Sequence, residues 1–282
     1  MTTTSGVALL TPAQVEDVFV RPLTQQAVCA RVSRVVRTQS HDLRVPIVTS
    51  DVGASWVAEG AEIPLGDMTL TDLVITPTKM ARVVGVTREA ANDTSPAAVT
   101  EVAQSLVRSF QVVLDSSFFG GAGVAPAPNG LGALAGVNTV ATAAGGWANL
   151  DVFTDAIVNG QTKGHPVTAF VANSADVTAL SKLRDETGSN RPLLGPDPTV
   201  PGSRQILGVP LLTSDAVPAS TVWAIPQTAS LLVIREGAAE GPVLETDKSV
   251  WFTKDQVAVK GILRISWGWP YPAAITKITK TA

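Results

Sequence analysis

Few residues of this chain are placed to do covalent chemistry. The two histidines, His41 and His165, have no second ligand-type residue at metal-binding spacing. His165 falls between Gly164 and Pro166 at a helix exit, a surface position by default. The single cysteine, Cys29, sits on an amphipathic helix and reads as packed, not nucleophilic. Its solitude also excludes an internal disulfide and any multi-cysteine metal site. There is no Gly-x-Ser-x-Gly elbow and no Gly-x-x-x-x-Gly-Lys-Ser/Thr loop. Gly120-Gly121-Ala122-Gly123 resembles a dinucleotide loop, but it follows a helix instead of opening one after a strand. The expectation is a protein that is not an enzyme and needs no cofactor and no metal.

The remaining polar and aromatic residues suggest contacts. Glu59, Glu62, Asp67 and Asp72 lie along one extended segment, where no pocket can raise a carboxyl pKa. Such acids keep an edge strand soluble and can pair with basic residues of a neighbour. Arg82 and Arg88, further along, are the candidate partners. Trp251, Trp267 and Trp269 cluster near the C-terminus and read as core, with a sugar-binding aromatic platform as the competing idea. Trp56 differs, because it sits where little intramolecular core exists and aromatic residues favour interfaces. Trp56, Glu59, Glu62, Asp67, Lys79 and Arg82 are therefore the candidate inter-subunit contacts.

The elements that must position these residues are a ribbon and a helix. The pattern predicts a long β-hairpin that leaves at Val52–Ile63, turns at Pro64-Leu65-Gly66-Asp67 and returns through Leu70 to about Thr87. Twelve extended residues would reach ~40 Å. A two-stranded ribbon of that kind is marginal in water unless it lies on something else. A long helix follows, started by Ser95-Pro96 and stopped by Gly120-Gly121. Val99, Val102, Leu106, Phe110 and Val113 recur at helical spacing as its core face, with Ala103 and Leu114 beside them. Glu101, Gln104, Arg108, Gln111 and Asp115 form the opposite stripe. The helix would be about twice the average length and can serve as a spine.

Upstream, Thr11-Pro12-Ala13-Gln14 starts a helix to about Val20, ending before Pro22, and a second runs from Thr24 to about Val32. Residues 1–45 thus read as an arm, and Leu43–Val48 as a strand leading into the ribbon. Residues 122–148 read as a linker. Helices over 150–163 and 174–186 flank a strand at 167–171, an α/β unit. Residues 188–202, with four prolines, read as a mobile loop or a subunit contact. Strands are predicted at 205–213, 221–225, 229–235, 249–254, 256–267 and 273–279.

Composition agrees with assembly. Only 16% of the residues are charged, against about a quarter in ordinary soluble chains, so part of the nominal surface reads as buried between subunits. A net charge of −3 is not that of a nucleic-acid-binding module. Arg21, Arg31, Arg34, Arg37 and Arg44 are locally basic, and read as a solvated helix face or inter-subunit ion-pair partners, with a phosphate-binding arm as the lesser alternative. The first residues lack a signal-peptide pattern and no apolar run is long enough for a membrane span. Folding in a cytoplasm is the expectation.

Val45-Pro46-Ile47, Ser55-Trp56-Val57-Ala58-Glu59-Gly60, the stretch 79–89, the spine helix, Val257–Arg264 and Tyr271-Pro272-Ala273-Ala274 follow one another in a familiar order. In that order the chain resembles the major capsid proteins of tailed bacteriophages (Caudoviricetes) with the Hong Kong 97-like (HK97-like) fold. The resemblance implies an α+β fold with an N-terminal arm (1–48) and an extended β-hairpin loop (49–88). It further implies a peripheral domain (89–124 and 226–282) on spine helix 96–119, and an axial α/β domain (125–225). It implies self-assembly through pentamers and hexamers into an icosahedral shell, the virion capsid, around double-stranded DNA held by weak, non-specific contact. About 45 residues precede the ribbon, which implies a separate scaffolding protein or none, and a portal completes the expected partners. Lys79 is the ribbon's only lysine, and no asparagine is marked as its partner for a covalent cross-link. An encapsulin-type compartment is the alternative on the same fold. A soluble hydrolase or sugar-binding protein is the alternative of another class.

Overall fold

The two arms of the expected ribbon turn out to have different partners. The computed structural model describes residues 15–50, 53–60, 62–63, 65–87, 97–143, 146–185, 189, 192–194, 204–237 and 241–281. In it the strand β2 (Leu43–Ser50) pairs antiparallel with β3 (Thr69–Ile75), from Leu43 opposite Ile75 outwards. Strand β4 (Thr78–Thr87) leaves that ribbon and pairs with the C-terminal strand over residues 256–265. The outgoing arm expected at 52–63 is not a strand: the described residues from 53 to 68 are loop, with a turn at Glu59-Gly60 where Gly60 takes φ 81°. The ribbon is thus shorter than its alternation suggested, and its tip is a long irregular loop.

Before the ribbon, a π-turn (Glu16–Val20) runs into α1 (Arg21–Gln26), and α2 (Val28–Val32) follows after a break at Ala27. Pro22 does not end the first helix as expected. It stands in the first turn of α1, where its missing N–H costs no intrahelical bond. Strand β1 (Arg34–Thr38), missed in the sequence, closes this segment by pairing parallel with a later strand over residues 231–235. The apolar face of residues 15–38 therefore joins the core of the subunit. Phe19, Val20, Leu23, Cys29 and Val32 are buried, and Phe19 meets Phe110 edge to face at 5.1 Å.

The spine, α3 (Ala97–Phe119), buries Leu106, Val107, Phe110, Leu114 and Phe118. Downstream come β5 (Asn138–Ala141), α4 (Asp151–Thr162), β6 (Ala169–Ala172) and α5 (Ser174–Ser181), the last capped by the Asn173 side chain. A hairpin of β7 (Arg204–Ile206) and β8 (Val209–Thr213) replaces the single strand expected there, because Leu207 and Gly208 turn at positive φ. Then follow β9 (Thr221–Ile225), β10 (Leu231–Arg235), β11 (Val243–Trp251), β12 (Gln256–Gly268) and β13 (Thr276–Thr279). Most of 188–202 lies outside the described residues.

Two sheets result. In the first, β12 is central: β4 pairs along one edge, and β11 and β10 share the other, with β1 beyond β10. Alternation along β10 sends Leu232 and Ile234 to the core under α3, and Leu231 and Val233 to the ribbon base with Ile75. At that base Gly268 lets Ile75 pack close, since a Cβ there would lie 2.3 Å from Ile75 Cδ1 and force that side chain to move. The second sheet has the order β5-β13-β9-β6-β8-β7, with α4 and α5 contributing to its core. Strand β13 joins this second sheet, so the expected grouping of all of 226–282 with the spine does not hold at the C-terminus.

Asp115, expected on the exposed stripe, is buried. Its two carboxylate oxygens accept from the backbone N–H groups of Val28 (3.2 Å) and Cys29 (2.9 Å), which the break at Ala27 leaves free. The spine helix thereby caps the N-terminal helix across 86 residues of sequence. Burial pushes the Asp115 carboxyl above its ordinary value, with the backbone and thiol of Cys29 and then the N–H of Val28 opposing the shift. Asp115→Ala leaves two buried donors unpaired and should cost about 1–3 kcal/mol in denaturant unfolding. A carboxyl more easily protonated when folded adds stability at low pH, and that stability is lost as pH rises through its folded titration. Asp115→Asn should remove this component, which the difference between wild-type and variant stability against pH will display.

Candidate functional site

The groups with intrinsic reactivity are spoken for by packing. Cys29 is fully buried, and its thiol is pushed well up by desolvation first and then by the adjoining Asp115. His165 stacks on Tyr271 at 4.1 Å and shares a hydrogen bond with Thr228 Oγ1 at 2.9 Å. His41 Nδ1 lies 2.8 Å from Asp42 Oδ1, and the Thr76 hydroxyl, then His41, hold that carboxyl below its usual range. Among the described residues no three His, Cys, Asp or Glu side chains gather as a metal site. Trp267 is buried, its indole N–H donates to Asn129 O at 2.7 Å, and Phe118 packs against both Trp267 and Trp269. Trp267 and Trp269 are thus part of the core, while Trp251 is half-buried on the first sheet. Arg37 joins Glu16 at 2.5 Å and Glu236 at 2.7 Å within the subunit.

What remains outside any core is the loop between β2 and β3. Trp56 is 105% exposed and Leu65 96%, the values of free side chains, and Ile63, Met68 and Leu70 are also exposed. From residue 45 to residue 78 the chain carries Asp51, Glu59, Glu62, Asp67 and Asp72 and no lysine or arginine. Glu59, Glu62 and Asp67 are exposed and form no ion pair among the described residues. The loop thus combines exposed apolar and acidic side chains, with no ion pair for the acids among the described residues.

Lys79 and Arg82, expected on the same ribbon, are not there. Both stand exposed on β4 in the first sheet, opposite Arg264 and Gly261 of β12. Neither forms an ion pair among the described residues. On the spine, Leu106 and Phe110 face the core, while Val113 is 47% exposed. The helix turns its buried face through Leu114 and Phe118 instead, which leaves Val113 off the core. The side chains of Val99 and Val102 lie outside the described residues.

Val113 borders a cavity of about 150 Å³ that sequence reasoning did not find. Its walls include Lys79, Met80, Leu114, Val124, Pro126 and Trp267. The 120–132 segment is held there by Gly130 N–H to Gly121 O (3.0 Å) and Gly132 N–H to Gly120 O (2.8 Å). Val124 projects 85% exposed at its edge. The only hint in the sequence is the Ala/Pro-rich composition after Gly121, which gives no sign of a fixed wall.

A spine helix on a five-stranded sheet, a second α/β layer and a loop with exposed apolar side chains define a structural subunit with the HK97-like fold. The profile described as the phage capsid family matches residues 7–280. The chain belongs to that family, and its function is that of a structural capsid protein of a phage, not an enzyme.

Solved structures agree in fold. One from Microbacterium phage Oxtober96 is 20% identical with TM-score 0.71, covering 90% of each chain. The capsid of an empty GTA particle, computed with C5 symmetry, is 18% identical with TM-score 0.71, covering 100% of this chain and 94% of that one. One from Gordonia phage Cozz is 15% identical with TM-score 0.68, covering 91% and 87%. No curated protein matches the sequence. The family match leaves the encapsulin-type, hydrolase and sugar-binding alternatives without support.

The two kinds of aromatic site should respond differently to truncation. Phe110→Ala in the core should lower the stability of the unassembled subunit by about 3–5 kcal/mol. Trp56→Ala, at a fully exposed site, should change it by no more than about 0.5 kcal/mol. Chemical denaturation of the two variants compares them directly.

Proposed function

We propose that this chain is the major shell-building subunit, assembling through pentamers and hexamers into an icosahedral capsid around double-stranded DNA. The observation that carries this reading is the loop between β2 and β3, whose apolar and acidic side chains stand exposed and unpartnered among the described residues. Neighbouring copies supply the partners. Each contact is modest, but every subunit makes several, and their combination closes the shell. The likeness to a GTA capsid computed with C5 symmetry supports five-fold rings as one of the arrangements.

In this reading the first sheet with the spine forms the peripheral part of each ring, and the second sheet the axial part. The loop and the β2–β3 ribbon reach to the adjacent subunit. A net charge of −3 supports weak, non-specific contact with the packaged DNA. A scaffolding protein and a portal are the proposed assembly partners, and the bacterial host cytoplasm the place of assembly.

Sedimentation and electron microscopy of the purified protein test this. Rings or shells in the megadalton range are expected, and a monodisperse 29.2 kDa species under all conditions contradicts it. Deleting Glu59 to Leu70 should leave a folded subunit that does not close shells. Normal shells from that variant would remove the assembly role of the loop.

A further inference from the structure

The same subunit carries an exposed apolar projection and an apolar cavity. We propose that the Trp56 side chain of one copy docks into the cavity bordered by Val113 and Val124 of a neighbouring copy. This rests on the shell reading and specifies the contact that joins two subunits.

Size is the first argument. A cavity of about 150 Å³ with largely apolar walls is the volume that admits a benzene ring. Trp56 presents the largest apolar surface on the loop, and an indole has ~150–250 Å² to bury. The bicyclic ring is larger than benzene, but the cavity is half open and is lined on one side by the exposed Val124. Leu65, the other fully projecting side chain, would leave such a space partly empty.

Charge is the second. The loop around Trp56 is acidic throughout, with Glu59 three residues away, while Lys79 stands at the cavity wall without an ion-pair partner among the described residues. Docking the ring brings unlike charges together at the rim, where they fix register more than they add affinity. Topology is the third. The projection and the cavity are different patches of one surface, so the contact is head-to-tail and propagates from copy to copy. Contacts of that kind close into rings when the rotation allows.

Photo-crosslinking in assembled particles identifies what fills the cavity. A benzophenone amino acid replaces Val124, and particles are grown from an equal mixture of ordinary and 15N-labelled chains. The expected product is a peptide containing Trp56 joined to the position-124 peptide, with mixed isotope pairs that prove two chains, and a ladder of covalent dimers and larger species. Capture of residues 1–14, of any other segment, or of same-chain pairs alone overturns the docking, as does a normal particle without the ladder. The shell reading survives those results, and fails instead if the unmodified chain forms no particle. Independently, Lys79→Glu and Glu59→Lys should each reduce particle yield, and the double variant should restore it. No rescue contradicts the proposed register.

Discussion

Among the described residues, nothing buries the side chains of Trp56, Ile63, Leu65 and Met68. A free indole and several exposed aliphatic side chains stand among carboxylates, on a loop that rests on only two strands. Two-stranded pairs of this kind have almost no core of their own. The subunit is therefore incomplete in a specific sense: its interior is closed, while one projection keeps the composition of an interface. Self-association follows as the physical completion of the fold.

The rest of the structure holds that projection rigid at its base. Strand β4 ties the returning chain to β12 over ten consecutive pairs, so the loop emerges from the edge of a sheet and not from a flexible hinge. Ile75 and Gly268 interlock beneath the ribbon, and Leu231 and Val233 pack there from the opposite side of β10. On the other face the spine helix joins the N-terminal helices through Phe110, Phe19 and the Asp115 carboxylate. An apolar side chain at Asp115 could fill its space but could not accept the two N–H groups that follow Ala27. A buried polar connection of this kind fixes one arrangement of the elements.

Helix and strand identity were legible where periodicity is strong. The spine was predicted at 96–119 and lies at Ala97–Phe119, and the expected strand at 256–267 lies at Gln256–Gly268. Partners were not legible, because periodicity reports which face is apolar and not what covers it. The alternation from Leu70 to Thr87 looked like one arm, yet Thr78–Thr87 pairs with a strand nearly 180 residues away. Asp115 looked solvated because the N–H groups it meets belong to another helix. That Trp56, Glu59, Glu62 and Asp67 stand exposed outside the core was legible from their chemistry alone. The cavity was not, since its walls come from β4, the spine, β12 and the segment after Gly121, which meet only in the folded chain.

Hydrogen–deuterium exchange, compared between dissociated subunits and assembled particles, tests most directly whether the loop is completed by neighbours. Backbone amides of residues 53–68 should exchange rapidly in the dissociated subunit and become strongly protected on assembly, while those of Leu106–Phe119 are protected in both. Equal exchange of the loop in the two states would contradict the account.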